Sequence, residues 1–237
     1  MTADDGGSNQ ISFNQLADEL MSSRQWATAR SLLEGAVRGM PEGWRPVSDD
    51  SELFRALNCA FWDIEEFMAY VGAKRTEVKS LVKWIPVSYS KAWFQLAVIS
   101  VEEGSLQTAL SCIESGLALE PDHPELWNEK GYILARERQY LHALRSYQHA
   151  ATVRDWAPAS QIARALRGQG SVLIDLRRLD EAEAAISRSL VLDPESKVAK
   201  NELQYIAELR RGLKIEGSGK PDLWQRVANF LKKSKQN

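Results

Sequence analysis

Three histidines are the side chains best suited to chemistry, and their spacing decides what they could do. His142 and His149 lie seven residues apart, so on a helix they share a face and could offer two imidazoles to a metal. No Cys, Asp or Glu stands at a spacing that completes a ligand set. His123, between Asp122 and Pro124, reads as a turn residue. Cys59 and Cys112 are too far apart in sequence for a metal-binding pair and too few for a disulfide framework, so both read as small apolar helix residues in a reducing compartment. The acidic pairs Glu65-Glu66 and Glu102-Glu103 are adjacent, which sends their carboxylates to different parts of a helix surface. Gly217-Ser218-Gly219-Lys220 lacks the preceding strand and the full spacing of a phosphate loop. No nucleophile elbow and no Cys/His motif is present. These residues point away from an enzyme, and neither a cofactor nor a small-molecule substrate is expected.

Charge narrows the partners. The 237 residues carry 30 Lys+Arg against 32 Asp+Glu, a formal net charge of −2, which argues against nucleic acid as the main partner. From Glu195 onward the balance reverses, with ten basic and five acidic residues, so a basic C-terminal segment follows an acidic body. Residues 1–9 have neither the basic nor the apolar region of a signal peptide and read as a disordered acidic tail. No stretch approaches the roughly 18 apolar residues of a membrane span. A cytoplasmic location is the expectation.

The elements that position these side chains show themselves through repetition. Aligned on Trp93 and Trp127, two segments lie 34 residues apart. With the residue three before each Trp as position 1, small residues fall at position 8 (Ala97, Gly131) and position 20 (Ala109, Ala143). Large residues fall at position 24 (Ile113, Tyr147). The same frame fits a copy from Ala163, with Leu166, Gly170, Ala182 and Ile186, and another from Gln10, with Phe13, Ala17, Ala29 and Leu33. Small residues at 8 and 20 let two helix axes cross closely, while the large residues fill the space around the crossing and against the next hairpin. Pro41, Pro121 and Pro194 end the second helix of their repeats.

This pattern resembles the tetratricopeptide repeat family over 10–40 and 90–194. The resemblance implies an all-α fold, a right-handed α-solenoid of helical hairpins with a C-terminal capping helix. It divides the chain into an N-terminal repeat at 10–43 and repeats at 90–123, 124–162 and 163–194, with a capping helix at 195–214. The second of the three later repeats carries about five extra residues, around Trp156-Ala157-Pro158, which are expected to lengthen the inter-repeat turn or its second helix. Residues 51–88 keep an apolar helical spacing but lose the signature, and read as a degenerate helical pair: one helix through Leu53, Leu57, Phe61, Ile64, Met68 and Val71, and a shorter one over 76–84. Residues 215–237 read as a Gly-rich linker and a short basic amphipathic helix, with Trp224, Val227, Phe230 and Leu231 as its contact residues. That helix has three readings: a second cap, a tethered ligand for its own groove or a second protomer's (a homodimer contact), or a dock on an acidic membrane or partner.

In proteins similar to this one the first helix of each repeat lines a binding groove. The matching positions here are Lys91, Phe94 and Val98, then Asn128, Tyr132 and Arg136, then Arg164, Arg167 and Ser171. They combine an apolar patch with guanidinium donors suited to a carboxylate-bearing peptide. The family's two-carboxylate clamp is not matched: its positions hold Phe94, Val98, Glu129, Arg164 and Gly168, of which Arg164 alone is compatible. The resemblance implies an adaptor or assembly chaperone that binds a protein or peptide segment. A regulatory or inhibitory subunit that covers a partner enzyme is the alternative.

Overall fold

The computed structural model describes residues 11–50, 56–74 and 81–212, and the chain divides into two compact units, Met1–Pro121 and Asp122–Asn237. The terminal segment before Ile11 and the proposed tail helix lie outside the described residues.

In the first unit, α1 (Phe13–Ser22) and α2 (Trp26–Arg38) form one hairpin, and α4 (Tyr89–Glu102) and α5 (Leu106–Leu119) form another, with α2 packed on α4. The second unit holds α6 (Pro124–Arg136), α7 (Tyr140–Ala150), α8 (Ala159–Asp175), α9 (Leu179–Leu192) and α10 (Lys197–Arg210). There α6 pairs with α7 and α8 with α9, and α10 covers α9. The crossing residues Ala17, Ala29, Ala97, Ala109, Ala143 and Ala182 are all completely buried. At Gly170 an added Cβ would stand 2.3 Å from Ile186 Cγ1 and 3.3 Å from the Ala182 carbonyl oxygen, which shows how closely α8 and α9 approach.

All four hairpins turn by the same device. Arg24, Gly104, Arg138 and Arg177 each follow a first helix in the left-handed conformation, with φ of 59°, 79°, 61° and 61°. The next residue then donates its N–H to a carbonyl five residues back: Gln25 to Leu20, Ser105 to Ser100, Gln139 to Leu134 and Arg178 to Leu173. This is the glycine-type helix end with its long-range closing bond. Three of the four positions hold arginine, which there suffers the contact between Cβ and carbonyl that glycine avoids. Arg177→Gly is therefore expected to raise stability by about 0.5–1 kcal/mol after the extra unfolded-state entropy of glycine is counted. Gly104→Ala should lower it by about 1 kcal/mol. Urea denaturation of the two variants checks both signs.

Residues 51–88 correct the expected degenerate helical pair. Their described residues form strands β2 (Ala56–Cys59) and β3 (Leu81–Trp84) and the helix α3 (Ile64–Lys74). The strand β1 (Val47–Asp50) precedes them and runs antiparallel to β2, while β2 and β3 are parallel and joined by α3. The physical reason is a change of period. Leu57 and Cys59 alternate along β2 as Val82 and Trp84 do along β3, and the register puts Leu57 opposite Val82 and Cys59 opposite Trp84. Phe67 of α3 stacks on Trp84 at 5.9 Å, covering that face. The helix starts only at Ile64 because Asp63 Oδ1 accepts the Glu66 N–H at 2.9 Å, while Glu66 Oε2 accepts the Trp62 N–H at 3.0 Å. The apolar spacing from Leu57 to Val71 thus joins a strand to a helix, and Leu53 lies outside the described residues.

The insertion lengthens the inter-repeat connection as expected, since α7 stops at Ala150 and α8 begins only at Ala159, whereas 120–123 suffice between α5 and α6. It also extends the first helix of the next repeat, as α8 runs for 17 residues. The connection is pinned by Arg154, whose guanidinium bonds both Asp122 carboxylate oxygens (3.2 and 3.0 Å) and lies 4.3 Å from the Trp156 ring centroid. Trp156 is therefore packed against a cation and only partly exposed.

Candidate functional site

The first helices of the repeats carry all nine groove candidates, but the structure commits many of them internally. In the first unit Lys91 Nζ sits 2.8 Å from Asp18 Oδ2 and donates to the Trp62 carbonyl at 3.2 Å. Phe94 lies against the Trp62 ring with centroids 5.1 Å apart, and Val98 is half-buried on the same helix. Beneath them Asn14 and Gln95 exchange bonds with each other and with Ser88 and Asp18, fastening α1 to α4 through a buried polar network.

In the second unit the candidates come together on α6 and α8. Arg164 bridges Glu125 and Glu129, with its Nη2 2.8 Å from Glu129 Oε2. Glu125 and Glu129 stand four residues apart on α6, one turn of the same face, so one guanidinium spans both. The side chain of Glu129 is 6% exposed, whereas that of Arg164 keeps 39% of its surface in solvent. Burial pushes the Glu129 carboxyl above its ordinary value despite the opposing pull of Arg164. Burial pulls the Arg164 guanidinium down, but the two carboxylates outweigh it and hold the charge firmly on. Arg167 Nη1 contacts Asp193 Oδ2 at 3.0 Å, yet burial together with the nearby Arg164 charge leaves its value lowered.

Asn128 is fully buried and donates to the Gln161 carbonyl at 3.2 Å, and Ser171 is buried as well, so both are interior polar groups and not free ligand contacts. Tyr132 and Arg136 remain half-exposed on α6. Of the candidates in this unit, those with surface to offer are thus Tyr132, Arg136, Arg167 and the outer side of Arg164. Trp224, Val227, Phe230 and Leu231 lie outside the described residues.

Two of the unmatched clamp positions acquire a physical explanation. Glu129 and Arg164 neutralise each other. Gly168 is bare because the buried Tyr147 ring fills its place: an added Cβ would lie 2.4 Å from Tyr147 Cε1, and the same ring stands 3.0 Å from an added Cβ at Gly131. Sequence reasoning missed this coupling, although a large residue at position 24 with glycine at position 8 and at position 6 of the next repeat was its signal. It also missed the Glu125 and Glu129 pairing, which the spacing of four on α6 foreshadows.

Elsewhere, a cleft of about 440 Å³ opens beside β1, with Glu42 and Arg45 as its charged lining residues. Cys59 and Cys112 are buried free thiols, and burial raises both, Cys59 to about 11. Among the described residues no group of three His, Cys, Asp or Glu is placed to hold a metal, and no helix is long and apolar enough to cross a membrane.

A tetratricopeptide repeat family model matches residues 96–169. No curated protein sequence matches the chain. Among solved structures, it is similar to PilW, described as a widely conserved type IV pilus biogenesis factor, at 18% identity and a TM-score of 0.59, covering 84% of this chain and 69% of that one. It is similar to pilF of Pseudomonas aeruginosa at 14% identity and a TM-score of 0.57, covering 84% and 68%. It is also similar to a MamA RS-1 ArsTM double mutant at 15% identity and a TM-score of 0.51, covering 95% and 96%. At these identities the likeness is one of fold. With the repeat model matched across 96–169, the small crossing residues buried in the hairpins and one turn geometry shared by the four described, the chain is built of tetratricopeptide-type helical hairpins.

Proposed function

We propose that this protein is a protein-interaction module that holds a segment of a partner protein along α6 and α8, in the manner of an adaptor or assembly factor. The observation that carries the reading is the partition of side chains on α6 and α8, the first helices of the repeats in the second unit. An Arg164–Glu125–Glu129 cluster locks the two helices together, while Tyr132, Arg136 and Arg167 keep accessible surface beside it. A rigid aromatic ring next to guanidinium donors is the composition of an interface hot spot. The guanidinium forks suit a carboxylate on the partner, and the ring an apolar side chain. The buried free thiols suit a reducing setting, and a cytoplasmic location belongs to the same proposal.

The test begins with selection of binders from a displayed peptide library on the full chain. Selected peptides are expected to combine a carboxylate with an apolar anchor. Their affinity, measured by calorimetry, should fall roughly 10–100-fold in the Tyr132→Ala/Arg167→Ala double variant. Retained affinity in that variant, with its fold intact by circular dichroism, places the binding surface elsewhere.

A further inference from the structure

A second surface is the edge formed by the C-terminal ends of α6, α8 and α10. In the second unit Arg138 follows α6, Arg177 follows α8 and Arg211 follows α10. All three are exposed, and among the described residues none of their side chains has a hydrogen-bond or ion-pair partner. That sets them apart from Arg154, Arg164, Arg167, Arg178 and Arg210, each of which is matched to a carboxylate. Arg138 and Arg177 moreover occupy left-handed positions that glycine fills without strain, as Gly104 does after α4 and Gly212 does beside Arg211. The arginines gain nothing locally that compensates for their backbone conformation. Strain kept at an exposed, unpaired cation is the kind of outlier from which a functional role is inferred.

We propose that this edge is a docking ridge for an extended acidic peptide, with Arg138, Arg177 and Arg211 each taking one carboxylate. The geometry supplies the spacing. Helix α6 packs against α8, which sets their ends about one helix-packing distance apart, 8–10 Å, and α10, packed on α9 and touching α8, carries Arg211 as the next cation along the edge. An extended strand advances about 3.3 Å per residue, so every third residue meets the next guanidinium. Each fork can grip its carboxylate through two donors. Acidic groups are interleaved along the same edge: Asp180 and Glu181 open α9, tied to Arg210 and Arg178. A continuous phosphate backbone would run into those carboxylates, whereas a peptide with spaced charges passes between them.

The test uses the full chain and a fluorescein-labelled peptide, Glu-Ser-Ser-Glu-Ser-Ser-Glu, followed by fluorescence anisotropy at low salt. A composition-matched isomer with its three Glu contiguous and a DNA duplex are run beside it. The spaced peptide is expected to bind about fivefold more tightly than the isomer. Its affinity should fall about tenfold in Arg138→Gly/Arg177→Gly/Arg211→Gln. That variant should melt at or above the parent temperature, because glycine relieves two left-handed arginines, so the loss cannot be misfolding. A control with the same charge change, Arg38→Gln/Arg145→Gln/Arg188→Gln, should bind within twofold of the parent. Equal losses in the ridge and control variants, no preference for the spaced peptide, or tighter binding of the duplex would each overturn the ridge.

Discussion

Replacing Arg164 by alanine is expected to lower stability by about 2–3 kcal/mol at neutral pH, below the 3–5 kcal/mol of a fully buried pair because the outer side of this guanidinium is screened by water. The loss falls on Glu129, whose carboxylate is 6% exposed and would keep its burial while losing its principal counter-charge. The pH dependence follows with a definite sign. Burial already raises the folded-state value of Glu129. Without Arg164, which pulls it down, that value rises further. A carboxyl whose folded value exceeds its unfolded value favours folding fully below the unfolded value, about 4.3, and loses that contribution as pH climbs through the folded one. The deficit of Arg164→Ala relative to the parent should therefore shrink as pH falls toward the unfolded value and grow as pH rises through the folded one. Urea denaturation across that range checks it, and a deficit independent of pH would show that Glu129 is already solvated.

The helical repeats were legible because their signal is steric. Small residues at the crossings, such as Ala97 with Ala109 and Gly131 with Ala143, leave the same mark in every copy, and the structure buries them. The sheet was not legible, since Leu57, Phe61, Ile64, Met68 and Val71 satisfy a helical period by accident of joining a strand to a helix. The sharper clue was local: Asp63 and Glu66, a helix-start pair that places the beginning of α3 after Trp62. The left-handed turn residue was masked by chemistry as well, because three of the four positions hold Arg where only Gly104 announces the conformation. For the candidate site, sequence placed the cations on the correct helices but could not supply their partners. Asp18 for Lys91 and Asp193 for Arg167 lie 73 and 26 residues away, and such pairings depend on packing between hairpins.

Tyr147→Ala is expected to cost about 3–5 kcal/mol, the range for removing a large buried ring. The ring lies on α7 and occupies the space left by Gly131 on α6 and Gly168 on α8, so it joins three helices at once. Its backbone carbonyl also accepts the Gln169 amide at 3.2 Å, which holds α8 in register beside it. The complementary change, Gly168→Ala, puts a Cβ within 2.4–2.6 Å of the ring atoms and should cost about 1–3 kcal/mol even though alanine favours helix. The two changes act on one volume, so they should not add. Gly168→Ala combined with Tyr147→Leu is expected to be more stable than the sum of the single losses by about 1 kcal/mol, as the smaller side chain admits the new methyl group. Additivity within 0.3 kcal/mol, roughly the error for independent sites, would mean that the ring is not what keeps position 168 empty. Because α6 and α8 also carry Tyr132, Arg136 and Arg167, loosening this joint should weaken peptide capture without touching any residue that contacts the peptide.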